Sequence, residues 1–245
     1  MLSIKGFMSL ADFVQEMKVS ESTIRRDLEV LEEQGTIRRT HGGAVYLKDS
    51  SFHRLAFDDR QTTAVSEKAA IAAAAAELIP PGGTVIINGG TTCYQVAKAI
   101  GSRRLNVVTN SVPIASLLSA DVSTEVTLIG GFLYPRTGVA LGDMAERQVD
   151  GLHAAQLVLS CAGLTEEGAF NTNQMMVAVE QQMIRAADQV ILVVDHTKFG
   201  TKSLAKLCDL DEIDILVTDA GADAPTRTWL ASLKTKVIFA GNDRT

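Results

Sequence analysis

Residues 19–43 read VSESTIRRDLEVLEEQGTIRRTHGG and carry two adjacent arginine pairs, Arg25 with Arg26 and Arg38 with Arg39. The whole chain is acidic, with 29 Asp and Glu against 23 Lys and Arg in 245 residues and a formal net charge of −6. This charge excludes a broad positive field that would attract nucleic acid or an anionic membrane. Any contact of the four arginines with an anionic partner must therefore be local.

The segment after Ser20 has the pattern of an amphipathic helix. Ile24, Leu28 and Leu31 follow one another by four and three residues, which predicts a buried stripe. Ser20 is a favourable N-cap for this helix. Upstream, Ser9 predicts the cap of a shorter helix. The apolar positions of that helix also follow the 3.6-residue period; they are Leu10, Phe13, Val14 and Met17.

A short helix, a tight turn and a second helix with hydroxyl and guanidinium groups near its N-terminus form the arrangement that places a recognition helix in the DNA major groove. Opposite the stripe, the second helix carries Ser22, Arg25, Arg26 and Glu29. Arginines also lie on the solvent face of ordinary helices. The first pair alone therefore leaves a purely structural role open.

The second arginine pair favours DNA binding. Residues 36–45, TIRRTHGGAV, alternate like a strand that reaches a Gly42-Gly43 turn, which puts the second pair on a β-ribbon directly after the helix. A winged helix-turn-helix places such a ribbon against phosphates. We expect the first pair to read bases and the second pair to contact flanking phosphates. The predicted DNA-binding residues are Ser20, Ser22, Thr23, Arg25, Arg26, Arg38, Arg39 and His41.

The pattern changes at residue 48. Residues 48–62 predict a polar linker, and residues 63–245 alternate apolar, β-rich runs with helical ones. Runs that are apolar throughout predict strands buried on both faces of an open, mostly parallel sheet. The predicted fold class is α/β, with a small winged helix-turn-helix domain in residues 1–47 and a larger C-terminal domain in residues 63–245.

Polar loops follow the predicted strands at the edge where ligands bind in such sheets. NGGTT follows TVII, NS follows NVVT, GG follows VTLI, CAG follows QLVLS and DHTKFG follows QVILVV. Glycines allow a ligand close to the backbone, and amide groups at helix starts favour an anion. Arg136 offers a bidentate donor, Lys198 a point charge and Asp195 an acceptor for sugar hydroxyls. The predicted effector-binding residues are Asn88, Gly90, Thr91, Thr92, Asn110, Ser111, Gly131, Arg136, Gly163, Asp195 and Lys198.

The loops also limit the ligand class. They contain neither GxxxxGK[ST] nor GxGxxG, so a nucleoside triphosphate or a dinucleotide is not indicated. A small phosphorylated, hydroxyl-rich molecule fits better. A Gly-Gly pair after a strand is also an ordinary turn, and Asp195 could instead cap a helix or pair with Lys198. No catalytic residue, metal site or cofactor is predicted.

Composition indicates a reducing compartment. Cys93, Cys161 and Cys208 are odd in number, far apart and without CxxC spacing, which argues against a disulfide framework and for the cytoplasm. The N-terminus lacks the pattern of a signal peptide, and the longest apolar run, residues 69–76, is much shorter than the roughly 20 residues of a membrane span. Neither secretion nor membrane binding is predicted.

The chain resembles the DeoR family of bacterial transcriptional regulators of sugar metabolism. Residues 19–44 look like the N-terminal signature of that family, and further similar motifs follow in the expected order. These are HGGA, Phe57 and Arg60 before Lys68, Gly-Thr-Thr at 90–92, VVTNS at 107–111, IGG at 129–131, and Asp195 with residues 197–200. The resemblance implies that residues 20–27 lie in a recognition helix. It also implies an effector domain similar in fold to ribose-5-phosphate isomerases and coenzyme A transferases, which responds to phosphorylated sugars, commonly in a repressor.

The sequence departs from the family pattern at two places. Asn88 stands where members often have Asp, which leaves the ligand preference open. Family members usually have a helix before the stretch that begins at Ser9, where this sequence has MLSIKGFM, so we expect a start site placed too far downstream or a truncated gene, and a weakened DNA-binding module. Two alternatives to a regulator stay open: a sugar-phosphate isomerase-like enzyme, and an effector-binding protein that has lost DNA binding. A single recognition helix reads one half-site, so a homo-oligomer is expected.

Overall fold

The computed structural model describes residues 7–33, 37–40, 43–46, 57, 61 and 63–241, and the chain separates into two compact units that divide between Ala56 and Phe57. Phe57, within the predicted linker, is buried and packs edge-to-face on Tyr94 with ring centroids 5.6 Å apart. Phe57 is therefore part of the larger unit.

In its described residues, the smaller unit combines two helices with a three-stranded antiparallel sheet. Its elements are β1 (Phe7–Ser9), α1 (Leu10–Met17), α2 (Glu21–Glu33), β2 (Ile37–Thr40) and β3 (Gly43–Tyr46). The sheet order is β1-β3-β2. Ser9 caps α1 as predicted, in a reciprocal capping box with Asp12. Ser20 caps α2 through a hydrogen bond of 3.3 Å from the Thr23 amide to its Oγ. These are the two predicted helices of a helix-turn-helix.

A small core holds this unit together. Phe13, Ile24, Leu28 and Ala44 are buried, and Leu10 and Val14 pack against them. The predicted stripe was wrong at Leu31, which is 36% exposed. The eight-residue α1 is shorter than the 13-residue α2, and so it covers only part of the apolar face of α2.

The larger unit alternates strands and helices along the chain. In chain order its elements are α3 (Val65–Glu77), β4 (Thr84–Ile87), α4 (Thr91–Ile100), β5 (Asn106–Thr109), α5 (Val112–Leu118), β6 (Glu125–Leu128), β7 (Phe132–Tyr134), β8 (Val139–Leu141), α6 (Asp143–Asp150), β9 (Ala154–Leu159), β10 (Gly163–Thr165), β11 (Gly168–Asn171), α7 (Gln174–Arg185), β12 (Ala187–Val193), β13 (Ala205–Cys208), β14 (Ile215–Asp219), α8 (Ala224–Ala231) and β15 (Lys236–Ala240).

Seven of these strands form the predicted open sheet. The order is β15-β14-β12-β9-β4-β5-β6, and every neighbouring pair is parallel. Alternate residues of the central strands face opposite sides: Val85 and Ile87 pack with α3, α4 and α5, whereas Ile86 packs with α6 and α7. The sheet is therefore covered on both faces, which is why its strands are apolar throughout.

Chain direction across the sheet reverses between β4 and β9. The chain runs outward through β4, β5 and β6, then returns to β9 and runs outward the other way. In open α/β sheets such a switch point leaves a crevice at the carboxyl ends of the strands, where ligands bind. The loops after β4 and β9 flank this point.

Two small antiparallel sheets were not predicted. β7 pairs with β8, and β10, β11 and β13 form a three-stranded sheet. Their strands have only three or four residues, too few to show a period of two clearly. In chain order β7, β8, β10 and β11 lie between the carboxyl end of a main strand and the helix that follows it, and β13 lies between β12 and β14, so these strands flank the edge of the predicted site.

Candidate functional site

The exposed face of α2 carries the predicted base-reading side chains. Ser20 Oγ lies 2.9 Å from Ser22 Oγ and 2.8 Å from Thr23 Oγ1, so three hydroxyls form a connected cluster at the start of the helix. Ile24 and Leu28 on the opposite face are buried. The exposed predicted residues are Ser20, Ser22, Thr23, Arg25 and Arg26.

The two arginines of α2 are not equivalent. Arg25 Nε and Nη2 both donate to Glu21 Oε1, at 3.0 and 2.7 Å, one helical turn earlier. Both side chains of this pair are 58% exposed, so the pair contributes only about 0.3–0.5 kcal/mol. Arg26 makes no hydrogen bond or ion pair with any residue in the described ranges. The Arg26 guanidinium is thus available to a partner outside the helix, whereas Arg25 is already held by Glu21.

Arg38 and Arg39 lie on β2 of the antiparallel hairpin, as the predicted wing requires. The predicted Gly42-Gly43 turn was wrong at Gly43, which lies inside β3 and pairs with Thr40 on one side and with Ser9 on the other. His41 and Gly42 lie outside the described residues.

Three loops converge on the glycine pair that follows β4. A Cβ atom on Gly89 would lie 2.1 Å from Val139 Cγ1 and 3.7 Å from Ser111 Cβ, and one on Gly90 would lie 3.9 Å from Ser160 Cβ. Gly90 has a φ of 125°, which side-chain-bearing residues avoid. The loops after β4, β5 and β9 are therefore neighbours, as their shared position at the carboxyl edge predicted.

The start of α4 is an open helix N-terminus. Its N-cap is Gly90, and no side chain caps it. Sequence reasoning began this helix at Tyr94, which was wrong by three residues: Thr91 and Thr92 lie in its first turn and are buried. First-turn N–H groups lack partners within their own helix and favour an anion.

The loop after β5 is anchored by the β7–β8 hairpin. Asn110 is 1% exposed and its Nδ2 donates to Ala140 O at 3.1 Å. Its Oδ1 accepts no hydrogen bond from the described residues. Ser111 Oγ accepts from the Ile114 amide at 3.4 Å as the N-cap of α5. Arg136 is exposed in the hairpin turn.

Packing accounts for two of the predicted glycines. A Cβ on Gly131 would lie 2.6 Å from Leu141 O, and one on Gly163 would lie 2.0 Å from Thr201 O. Both glycines are needed for close backbone packing whether or not a ligand is present. Their predicted contact with an effector stays a prediction.

The loop after β12 presents Asp195 and Lys198. Asp195 is buried and caps the short 3-10 turn His196–Lys198: its Oδ1 accepts from the Thr197 amide at 3.0 Å and from the Thr197 hydroxyl. The capping role that the sequence left open is therefore present. Its Oδ2 and the half-buried Lys198 Nζ have no hydrogen bond or ion pair with the described residues.

The pKa of the Cys161 thiol, in the loop after β9, depends on charged groups near the carboxyl edge of the sheet. Burial, together with the Glu180 carboxylate, raises the pKa of this thiol to about 12, against the opposing effects of backbone hydrogen bonds at Gly163 and Phe170 and of the positive charge of Lys198. Lys198 and Glu180 therefore both lie within electrostatic range of the switch point. All three cysteines are buried free thiols.

Sequence reasoning missed a buried polar network below the glycine pair. Glu180 on α7 is 2% exposed. Its carboxylate accepts from Asn88 Nδ2 at 2.9 Å and from Asn171 Nδ2 at 2.9 and 2.8 Å. Burial raises the pKa of Glu180 to about 7, against the opposing effect of the two amides. No spacing in the sequence links Glu180 to Asn88 or Asn171, which lie 92 and 9 positions away.

A second missed pair anchors the loop after β12. The His196 amide donates to Asp219 Oδ1 at 2.7 Å, and His196 Nδ1 lies 2.7 Å from Asp219 Oδ2. Burial raises the pKa of Asp219, but hydrogen bonds from His196 and Gly221 outweigh it and the pKa is lowered. A carboxylate at the carboxyl end of β14 was the available signal, because parallel strands end at one edge.

Within the described ranges, no cluster of three or more His, Cys, Asp or Glu side chains is arranged to hold a metal ion. None of the helices in those ranges is long and apolar enough to cross a bilayer.

These elements define a class of protein: a helix-turn-helix unit joined to a parallel α/β unit with polar loops at its switch point. The model of the DeoR C terminal sensor domain matches residues 63–220, and that of the DeoR-like helix-turn-helix domain matches residues 1–50. The chain belongs to the DeoR family of transcriptional regulators.

Relatives of known sequence match nearly the whole chain. The uncharacterized HTH-type transcriptional regulator YulB of Bacillus subtilis is 33% identical over 96% of this chain and 92% of its own length. The HTH-type transcriptional repressor CsqR of Escherichia coli is 32% identical over 99% and 93%. The glycerol-3-phosphate regulon repressor of Escherichia coli is 34% identical over 88% and 86%. These relatives are named as transcriptional regulators, not as enzymes.

Among solved structures, ribose 5-phosphate isomerase A from Neisseria gonorrhoeae is similar over 55% of this chain and 53% of its own, with 15% identity and a TM-score of 0.41. The delta subunit of eIF2B from Chaetomium thermophilum is similar over 66% and 58%, with 15% identity and a TM-score of 0.45.

Proposed function

We propose that the protein is a repressor of a carbohydrate-metabolism operon that binds operator DNA through α2 and the β2–β3 wing and responds to a phosphorylated sugar bound in its larger unit. One observation carries the proposal: three polar loops converge on Gly89 and Gly90 at the switch point, next to the uncapped start of α4. Two of the relatives are named as repressors, which supports repression rather than activation.

The loops offer groups for both parts of a sugar phosphate. A phosphate suits the first-turn amides of α4 and the charge of Lys198, because both favour an anion. Asp195 Oδ2 and Asn110 Oδ1 accept no hydrogen bond from the described residues, and each could accept one from a sugar hydroxyl. This division predicts that removing the phosphate from the ligand costs more affinity than removing one hydroxyl.

The effector proposal is tested by isothermal titration of purified protein with sugar phosphates and the matching free sugars. We expect binding of at least one phosphate ester and none of its free sugar. Lys198→Met should weaken that binding by roughly tenfold, since a charge-assisted contact is worth about 1.5 kcal/mol or more. Lys202→Met is the matched control, because Lys202 is exposed and paired with Glu167. Equal losses in both variants would contradict the assigned role of Lys198.

The DNA proposal is tested by selecting sites from a randomised duplex pool and measuring affinity against salt. Arg26→Ala should relax base preference at one position per half-site by about 1–3 kcal/mol. Arg38→Ala and Arg39→Ala should weaken binding to all sequences alike and lower the salt slope by about one each. If Arg26→Ala weakened binding to selected and to random DNA equally, this result would contradict the proposed role of α2 in base recognition.

The isomerase alternative has a direct test. Turnover of ribose 5-phosphate that disappears in Asp195→Asn would establish an enzyme. We expect no turnover, because Asp195 Oδ1 is committed to Thr197 and the relatives are named as regulators. A homo-oligomer stays a prediction that sedimentation analysis tests.

A further inference from the structure

Glu180 joins the helical layer to the glycine loop through Asn88. Asn88 is buried at the end of β4, where its amide nitrogen donates to Val158 O at 2.9 Å and its side chain donates to Glu180. Its Oδ1 accepts from the Gly89 amide at 2.5 Å. Asn88 therefore couples the Glu180 carboxylate directly to the first residue of the Gly89-Gly90 pair.

The network places a negative charge below a site suited to an anion. Among the described residues, the hydrogen-bond partners of the Glu180 carboxylate are two neutral amides and no cation. The carboxylate acts electrostatically on Cys93 in the first turn of α4 and on Cys161 after β9. A bound anion at the start of α4 would raise the cost of keeping Glu180 ionised.

We propose that Glu180 is a positioning residue that holds the glycine loop through Asn88 and takes up one proton when an anion binds at the start of α4. This inference rests on the proposed effector site and adds its regulation: anion affinity falls as pH rises through neutrality. The Glu180 carboxylate gains a proton from solvent, and no other covalent bond forms or breaks. Because the pKa of free Glu180 is already raised to about 7, the proton is available near physiological pH.

The neighbouring titratable groups do not supply this effect. Glu180 acts on the thiols Cys93, Cys161 and Cys208, whose pKa values are all raised by burial, so these thiols stay neutral below pH 9. The positive charge of Lys198 lowers the pKa of the Cys161 thiol. His196 lies on the same edge, where its Nδ1 contacts Asp219 Oδ2. A Glu180 variant retains His196, so the comparison separates the two groups.

The test is isothermal titration of the full chain with sulfate from pH 6 to pH 8.5. Sulfate keeps its charge over this range, unlike phosphate, so its own ionisation does not enter. We expect wild-type affinity to fall about tenfold across the range, which corresponds to a one-unit shift on binding. The binding enthalpy near pH 7.5 should depend on the ionisation enthalpy of the buffer, which reports proton uptake.

Two variants and one control isolate the residue. Glu180→Gln should bind sulfate with a flat pH profile and without the buffer dependence. Asn88→Asp should shift the midpoint of the profile upward by at least about one unit, because two carboxylates in contact cannot both ionise. Glu125→Gln removes an exposed carboxylate from β6 of the same unit and should keep the wild-type profile. Asn88→Asp supplies an independent result if Glu180→Gln fails to fold.

A flat Glu180→Gln profile beside a sloping wild-type profile supports the proposal. Equal slopes in wild type and Glu180→Gln overturn it and leave the effector site standing, as does an unshifted Asn88→Asp midpoint. Absence of sulfate binding to the wild type at every pH overturns this proposal together with the anion site on which it rests.

Discussion

The two candidate sites are built in opposite ways. On α2 the predicted DNA-binding side chains are exposed, and they stand on a core whose described members are Phe13, Ile24, Leu28 and Ala44. At the carboxyl edge of the large sheet most of the predicted polar side chains are buried, and Asn88, Asn110 and Asp195 are also hydrogen-bonded within the protein.

This difference follows from what each partner requires. DNA presents a large, hydrated surface that exposed, rotatable donors can meet, and binding removes their water only when the partner arrives. A small effector must be enclosed, so its ligands are held in place before binding. Substitutions on α2 should therefore change binding with little effect on folding, whereas substitutions at the sheet edge should change both.

The largest expected effect is at the sheet edge. Gly163→Ala would put a Cβ 2.0 Å from the main-chain oxygen of Thr201, and a backbone atom cannot move as a flexible side chain can. We expect a loss of about 3 kcal/mol or more in the free energy of unfolding, measured by urea denaturation. Gly151→Ala, with no atom within 4 Å of its added Cβ, should be within about 0.5 kcal/mol of wild type. Similar losses in both would contradict the packing role.

The core of the smaller unit provides the next test. Ile24→Ala removes a buried side chain that is 3% exposed, and it should cost about 3 kcal/mol. Leu31→Ala on the same helix should cost under about 1 kcal/mol, because Leu31 is largely outside the core. Hydrogen exchange of residues 9–33, read by mass spectrometry, distinguishes the two. Equal exchange rates would mean that the four-residue core does not hold this unit.

A pH-dependent effect on stability should appear in the larger unit. Because burial raises the pKa of Glu180 from 4.5 to about 7, the folded state binds its proton more tightly than the unfolded state. The stability from this group is present below pH 4.5 and is lost as pH rises to about 7. Glu180→Gln should therefore gain about 2–3 kcal/mol relative to wild type between pH 5 and pH 8. A constant difference in unfolding free energy across that range would contradict this.

On α2, substitution of Arg26 should change DNA affinity with little effect on stability. Arg26→Ala should leave the free energy of unfolding within about 0.5 kcal/mol of wild type, because Arg26 is exposed and makes no hydrogen bond or ion pair among the described residues. Its DNA affinity should still fall. A marked loss of stability in thermal unfolding would show that this arginine has a structural role.

Regular elements were predictable where the pattern was local and long. Ser9 and Ser20 capped the two predicted helices, and the seven main strands were found because a sheet covered on both faces requires continuous apolar runs. The start of α4 was missed because Thr91 and Thr92 suit a loop as well as a helix. Leu31 was misassigned because its exposure depends on the length of α1, which its own spacing does not contain.

For the site, too, local features of the sequence were predictable and contacts between distant residues were not. Residues directly after a strand, such as Asn88 and Asp195, were placed at the correct edge because parallel strands end together. Their partners were not predicted: Glu180 lies 92 residues from Asn88, and Asp219 lies 23 residues from His196. Contacts between distant segments have no period or spacing that a single sequence could reveal.

The sequence by itself determined the helix-turn-helix, the parallel sheet and the set of loops at its edge, because each depends on short-range periodicity, capping and chain direction. The tertiary structure alone decided which side chains are committed and which are available. It showed that Glu21 holds Arg25, that Thr197 occupies one oxygen of Asp195 and that Glu180 lies beneath the glycine pair. The reason is physical: hydrogen bonding and burial depend on atoms brought together from distant parts of the chain, and they set the charge and reactivity of each group.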